Sequence, residues 1–250
     1  MATEIRKNVK IPVIAVNNIK DPQTAEQLLN DGVCDFVGVA RGHLADPNWV
    51  NKARDGKSDQ IRKCIGCLNC FAELNQGRHT KCAVNARVGR EIEFSDPNID
   101  GEGKTVVVIG GGPAGMQAAL LLDQRKYRTI LIDEREKLGG TLNVADKAPI
   151  KEKVADMNNG MIREIEESGV DVRMNTKATV EMVKELNPDG IFVAVGATPA
   201  IPPIPGIQGQ NVMLAVDVLT GKSVAPGRDD VIGFGLIRLE TEEPLADKGH

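Results

Sequence analysis

The sequence predicts a parallel α/β protein in two parts, with a cysteine-rich loop between them. Short apolar runs alternate with helix-sized segments, and two early helices both open on Asp-Pro. A strand-like run at 105–109 ends directly in a glycine cluster. At 250 residues the chain has room for one large core or two modest ones. A net charge of −4 is too small for a nucleic-acid surface or a polybasic membrane anchor. Aromatics make up only 3%, with a single Trp49 and a single Tyr127, which leaves no platform for stacking bases. Neither nucleic acid nor membrane is therefore expected as a partner.

The N-terminal stretch MATEIRKNVKIPVIAV has charges throughout and is no signal peptide. Residues 11–16, IPVIAV, read as a buried parallel strand, and Asp21-Pro22 opens the helix that follows. Residues 35–39, DFVGV, repeat the strand signal, and Asp46-Pro47 opens a second helix through NWVNKARDG. Residues 61–90 hold the cysteines and lack periodicity, and the polar stretch 95–103 reads as a linker. From Lys104 the pattern is a strand TVVVIG, a helix at 113–125, a strand RTILID and a helix at 160–168. A strand in VDVRMNT, a helix TVEMVKEL and a buried strand GIFVAVG follow, and AIPPIPG leads away. The last residues, from Val231, look like a further strand–glycine–helix unit stopping before its second strand. Residues 105–122 carry no charge, but three glycines, Pro113 and Gln117 make them strand, turn and helix rather than a membrane span. The expected location is cytoplasmic.

Gly110-Gly111-Gly112-Pro113-Ala114-Gly115 fits G-x-G-x-x-G at the junction of a strand and a helix. There Gly110 permits the tight turn, Gly112 lets a pyrophosphate approach the backbone, and Gly115 lets helix and strand pack closely. Asp133 closes the next strand 23 positions after Gly110, with Glu134 beside it, where ribose hydroxyls need an acid. Gly139-Gly140-Thr141 and the turn Ala194-Val195-Gly196 are two more places for backbone to approach a bulky dinucleotide. This Rossmann-like reading makes Gly110, Gly112, Pro113, Ala114, Gly115, Asp133, Glu134, Gly140, Thr141, Ala194 and Gly196 the cofactor-binding candidates.

Cys64, Cys67 and Cys70 are spaced C-x₂-C-x₂-C, and Cys82 follows after 11 intervening residues. In a reducing compartment these thiols are not expected to pair as disulfides. Close spacing wraps one loop round the corner of an iron–sulfur cluster. Structural zinc sites more often use two separated C-x₂-C knuckles, so zinc is the weaker alternative that spacing leaves open. Cys34 reads as a small core residue. His43 and His79 have no acid or nucleophile partner in view, and no catalytic residue is assigned.

The order CIGCLNC…Cys82, VVVIGGGPAG, LIDEREKLGG, AVGATPAIPPIPG resembles the iron–sulfur flavoprotein branch of the old yellow enzyme family. That branch includes 2,4-dienoyl-CoA reductase, 2-enoate reductase, trimethylamine dehydrogenase and bile-acid-inducible NADH:flavin oxidoreductases. The resemblance implies four segments. Residues 1–60 would be the last two βα units of a TIM barrel that holds FMN, and 61–95 the segment binding a 4Fe-4S cluster through Cys64, Cys67, Cys70 and Cys82. Residues 103–228 would be the FAD-binding domain, and 229–250 the start of a nicotinamide-binding subdomain. By position, Ala40 and Arg41 fall at the FMN phosphate, and Asn17-Asn18 stand where the family usually has Gly-Arg. In the second glycine motif Arg238 replaces the third glycine, and Pro244 lies in the expected helix, so a competent NAD(P)H site is not expected in 229–250.

The function so implied is electron transfer from NAD(P)H through FAD and the cluster to FMN, reducing an activated C=C bond. The partners would be a nicotinamide nucleotide, a small unsaturated substrate, and an oligomer or a companion chain carrying the rest of the barrel. The alternative is a truncated, catalytically inert product that only binds FAD or ADP, and the cluster with it. A reductase subunit feeding an amidotransferase fits less well, because it leaves the strands in 11–60 without a role.

Overall fold

In the computed structural model, residues 1–95, 98–224, 227, 229–233, 235–247 and 249 are described. The chain divides into two units: Met1–Asn98 with Asn159–Glu164, and Ile99–Asn158 with Ile165–His250. Within the expected linker and the last glycine unit, Asp96, Pro97 and Phe234 lie outside the described residues.

The first unit runs α1 Ala2–Asn8, β1 Ile14–Ala15, α2 Pro22–Asn30, β2 Phe36–Val37, α3 Arg41–Ala45, α4 Trp49–Arg54, a 3-10 turn Ser58–Gln60 and α5 Asn69–Asn75. The two strands pair in parallel, Ile14 opposite Phe36. Asp21 caps α2 as its Asp-Pro start predicts, Oδ1 accepting from the Thr24 amide at 2.8 Å with Pro22 in the first turn. Asp46 works harder than a cap. Its Oδ1 accepts from the Asn48 amide at 2.9 Å, and Oδ2 accepts from Lys52 Nζ at 2.7 Å and the Arg62 amide at 3.0 Å. Trp49 is buried, and its indole donates to the Lys20 carbonyl at 3.1 Å.

Two sequence expectations for this unit need correction. The run 11–16 is not buried on both faces: Val13 and Ala15 are, but Ile14 and Val16 keep 60% and 67% of their surface. Alternate side chains of a strand point to opposite faces, and only one face here is covered. The cysteine segment also contains an unexpected helix, α5, entered through Leu68 at φ 58°.

Asp35 joins β1 to its surroundings. Its Oδ2 accepts from the Val13 amide at 2.8 Å, and its Oδ1 receives Arg6 Nη2 at 2.8 Å. The Val13 hydrogen bond first, and then Arg6, hold its carboxyl below the usual range. A lowered carboxylate pKa adds stability that is complete above the unfolded-state value and is lost as pH falls through the folded one. Asp35→Asn is therefore expected to flatten the acid limb of the first unit's pH–stability curve, followed by Trp49 fluorescence between pH 6 and 2. An unchanged acid limb would remove this assignment.

The second unit continues with β3 Thr105–Ile109, α6 Pro113–Gln124, β4 Arg128–Ile132, α7 Leu142–Ala145, α8 Glu152–Glu166, β5 Asp171–Arg173, α9 Val180–Glu185, β6 Gly190–Val193, α10 Ala215–Leu219 and α11 Leu236–Asp247. Residues 159–164 of α8 are grouped with the first unit. The sheet is parallel, ordered β5-β4-β3-β6. The two central strands carry the core. Val107, Val108, Leu131 and Ile132 are fully enclosed, and Val183 of α9 packs with Val107, Ile130 and Ile132.

Three expectations are corrected here. The helix expected over 160–168 begins at Glu152, because Met157, Met161 and Ile165 bury one stripe straight through Asn158-Asn159-Gly160. The strand GIFV is not enclosed: Ile191, Phe192 and Val193 are 52%, 51% and 67% exposed, since β6 is the outer strand and pairs only with β3. Residues 231–233 join no sheet, because a strand needs a paired neighbour and the sheet ends at β6. Helix α11 runs through Pro244, and Arg238 lies on its surface, its Nε donating to Glu242 Oε1 at 2.6 Å.

Candidate functional site

The glycine loop 110–112 leaves the carboxyl end of β3, between its neighbours. The Gly110 amide donates to the Ile132 carbonyl of β4 at 2.8 Å, and the Ala194 amide beyond β6 donates to the Ile109 carbonyl at 2.8 Å. This is where the strand order reverses, and α/β sheets open a ligand crevice outside the strand ends at such a point. Gly110 has φ 109°, and a Cβ there would run into the Ala194 carbonyl. A Cβ on Gly115, in the first turn of α6, would fall on the carbonyl oxygen of Gly110. Both positions are closed to side chains by backbone. At Gly112 the nearest atom to a Cβ would be Gly140 Cα, 3.9 Å away, so the space beside it is open.

Asp133 is 9% exposed at the end of β4. Its Oδ2 accepts from the Gly111 amide at 2.5 Å and its Oδ1 from the Arg135 amide at 2.8 Å. A carboxylate oxygen takes more than one hydrogen bond, so both keep capacity for a hydroxyl. Glu134 beside it is exposed. The turn at 138–140 is tied to the loop by the Gly139 amide, which donates to the Gly111 carbonyl at 2.9 Å. Gly140 is buried against Gly112, and Thr141 is exposed at the start of α7. Pro113 and Ala114 open α6 on its exposed side, whereas Ala194 borders Gly110 and Gly196 is exposed beyond it. Asp133, Gly140 and Ala194 thus all meet the glycine loop at the carboxyl end of the sheet.

In the first unit Cys64, Cys67, Cys70 and Cys82 line a single small cavity, walled also by Leu68 and Val84. All are free thiols, and left-handed turns at Gly66 and Leu68 curl the loop that carries the first three. Burial pushes the Cys82 thiol up; the Val84 and Asn85 amides bonded to it pull the other way, and Cys64 and Cys67 add to the push. Apolar walls and amide donors suit a group that neutralises several thiolates at once. Among the described residues, no three His, Cys, Asp or Glu side chains converge as the ligands of one metal ion. Cys34 is a buried core residue elsewhere in the unit.

An open cleft of about 580 Å³ adjoins that loop, lined by Asn17, Asn18, Lys20, Ala40, Arg41 and Cys64. Asn17 and Asn18 both adopt left-handed backbone, φ 91° and 56°, a conformation asparagine tolerates better than most side chains. Lys20 was not singled out by the sequence reading. It brings a second cation beside Arg41, and its amine lies 3.6 Å from where a Cβ on Gly66 would be. The signal available was a lysine two residues after the Asn pair. Among the described residues, no helix is long and apolar enough to cross a membrane.

Comparison with known proteins matches residues 104–245 to the pyridine nucleotide-disulphide oxidoreductase family and residues 1–60 to the NADH:flavin oxidoreductase / NADH oxidase family. An NADH oxidase of Thermoanaerobacter brockii is 41% identical over 256 residues, covering 100% of this chain and 39% of that protein. A bilirubin reductase of Mediterraneibacter gnavus is 39% identical, over 98% of this chain and 38% of its own length. Among solved structures, a 2-naphthoyl-CoA reductase complex superposes with a TM-score of 0.88 at 27% identity, over 99% of this chain and 38% of that one. The chain therefore spans about two fifths of the length of these relatives.

Proposed function

The chain belongs to the pyridine nucleotide-disulphide oxidoreductase family, within the flavoprotein branch of the old yellow enzyme family, and on that premise we propose that it is the electron-transfer part of an NAD(P)H-dependent flavin and iron–sulfur oxidoreductase. The observation that carries the reading is the glycine loop at the strand-order reversal, with Asp133 held across it. There, the loop amides and the start of α6 would receive the pyrophosphate of FAD, and Asp133 the ribose hydroxyls. Gly140, Thr141, Ala194 and Gly196 would shape the rest of the cleft, with Glu134 at its rim.

Cys64, Cys67, Cys70 and Cys82 would hold a 4Fe-4S cluster. They ring a cavity, and a cubane takes its thiolates at separate corners rather than at one point. Ala40, Arg41 and Lys20 would meet the phosphate of FMN in the adjoining cleft, which Cys64 also lines. Held by these residues, the flavins would supply two-electron chemistry and the cluster a one-electron carrier between them. The substrate is proposed to be a compound with an activated C=C bond, in keeping with relatives named as reductases. The segment assignments 1–60, 61–95, 103–228 and 229–250 are part of the same proposal.

Anaerobic reconstitution with iron and sulfide tests it. The full chain is expected to take up both in equal amounts and to absorb broadly in the visible, and Cys67→Ser to lose most of each. Stoichiometric zinc without sulfide would sink the cluster assignment. NADH oxidation with a dye acceptor by the FAD-loaded chain separates an active component from an inert one.

A further inference from the structure

Asn158 is 1% exposed in the middle of α8, an odd place for an amide. Its Nδ2 donates to Asn143 Oδ1 at 3.0 Å, and Asn143 Nδ2 donates to the Leu138 carbonyl at 2.9 Å. The direction of this chain is settled by its last member. A carbonyl only accepts, so Asn143 must present its amino group to Leu138, which turns its oxygen to Asn158 and the amino group of Asn158 to Asn143. One atom is left over: Asn158 Oδ1 is buried and has no hydrogen-bond partner. A buried acceptor in that state costs stability, and an apolar residue of the same size would avoid the cost. Burial alone therefore gives no reason for an asparagine here.

The place where the chain of amides ends supplies one. Leu138 opens the turn whose Gly139 amide donates to the Gly111 carbonyl and whose Gly140 packs on Gly112. Asn143 and Asn158 also close over Gly139: a Cβ there would lie 2.8 Å from Asn143 Oδ1 and 2.9 Å from Asn158 Oδ1. The two amides grip the outer side of the 138–140 turn, and the glycine loop is on its inner side.

We propose that Asn158 is a positioning residue for the dinucleotide crevice: acting through Asn143 and the Leu138 carbonyl, it sets the distance between the 138–140 turn and the glycine loop. It touches no ligand itself. The inference rests on the dinucleotide reading of the crevice and adds a residue outside it.

The test is FAD titration of the full chain by flavin fluorescence, with ADP as second probe, beside thermal melting without ligand. Asn158→Leu is expected to melt at or above the wild-type temperature and to bind FAD about five- to tenfold more weakly, the worth of one or two hydrogen bonds. Asn143→Ala is expected to weaken FAD similarly, and the double variant no further, because both act on one carbonyl. If Asn158→Leu does not fold, Asn143→Ala decides. Unchanged FAD affinity in the single variants, additive losses in the double variant, or affinity falling only in step with melting temperature would each overturn the positioning role. A wild-type chain that binds neither FAD nor ADP would overturn the dinucleotide reading with it, whereas wild-type binding with unaffected variants overturns this inference alone.

Discussion

Gly115→Ala is expected to weaken FAD binding by about a hundredfold or more and to destabilise the second unit by about 1–3 kcal/mol, the usual cost of overpacking. The added methyl would land on the Gly110 carbonyl oxygen, 3.0 Å from its carbon and 3.5 Å from Val108 Cγ1. The atoms it meets first are backbone of the loop itself and cannot swing aside. Either α6 lifts from β3 or the loop deforms, and both misplace the amides proposed to receive the pyrophosphate. Gly112→Ala is the control. Its backbone, φ −75° and ψ 179°, suits alanine, and no protein atom lies closer than 3.9 Å to the new methyl. This variant should melt like wild type and lose about tenfold in FAD affinity, because its methyl enters the open space proposed for the ligand. FAD titration and thermal melting of both decide the matter. A Gly115→Ala chain that binds and melts like wild type would remove the glycine loop from the site.

Asp46→Ala is expected to cost the first unit about 3 kcal/mol, the order found when one partner of a buried ionic network is removed. Asp46 is 4% exposed and accepts from two amides and an ammonium. Without it the hydrogen bond from the Arg62 amide is lost. Lys52 keeps the Gln60 carbonyl at 2.8 Å and Glu164 Oε1 at 3.6 Å. Glu164 remains paired with Arg62 Nη2 at 2.5 Å, so the network is disturbed at one end rather than dissolved. Asp46→Asn keeps an acceptor and should lose less than Asp46→Ala. Urea unfolding followed by Trp49 reads both, since the chain's single tryptophan begins the adjacent helix. Asp46 also ties down Arg62, two residues before Cys64, so reconstituted Asp46→Ala should retain less iron than wild type. Losses below about 0.5 kcal/mol, the level of an ordinary surface change, would show that the network is ornamental.

The features legible in the sequence are those that one short segment decides. The glycines at 110 and 115 mark a close approach of backbone because no side chain fits there, and Gly112 marks open space beside the loop. Asp21-Pro22 marked the start of α2 because capping uses only an oxygen and the next three residues. The cysteines were noticed through their spacing, and they do line one cavity. Segments whose state depends on distant neighbours were misread. The helix expected over 160–168 begins at Glu152 and passes through Asn158-Asn159-Gly160, since burial of Met157, Met161 and Ile165 outweighs weak local propensity. GIFV looked enclosed, yet lies on an edge, because composition says how apolar a strand is and not how many neighbours it has.

By itself, then, the sequence determined the parallel α/β class, the glycine loop with Asp133 in register, and the thiol quartet, all of them properties of backbone space and spacing. Only the tertiary structure decided that Arg62 answers Glu164 102 residues away, that Lys20 shares a cleft with Arg41, and that Asn158 reaches the turn facing the glycine loop through Asn143. Such partnerships join residues far apart in the chain, and a hydrogen bond or an ion pair exists only once folding has brought its two ends within about 3 Å.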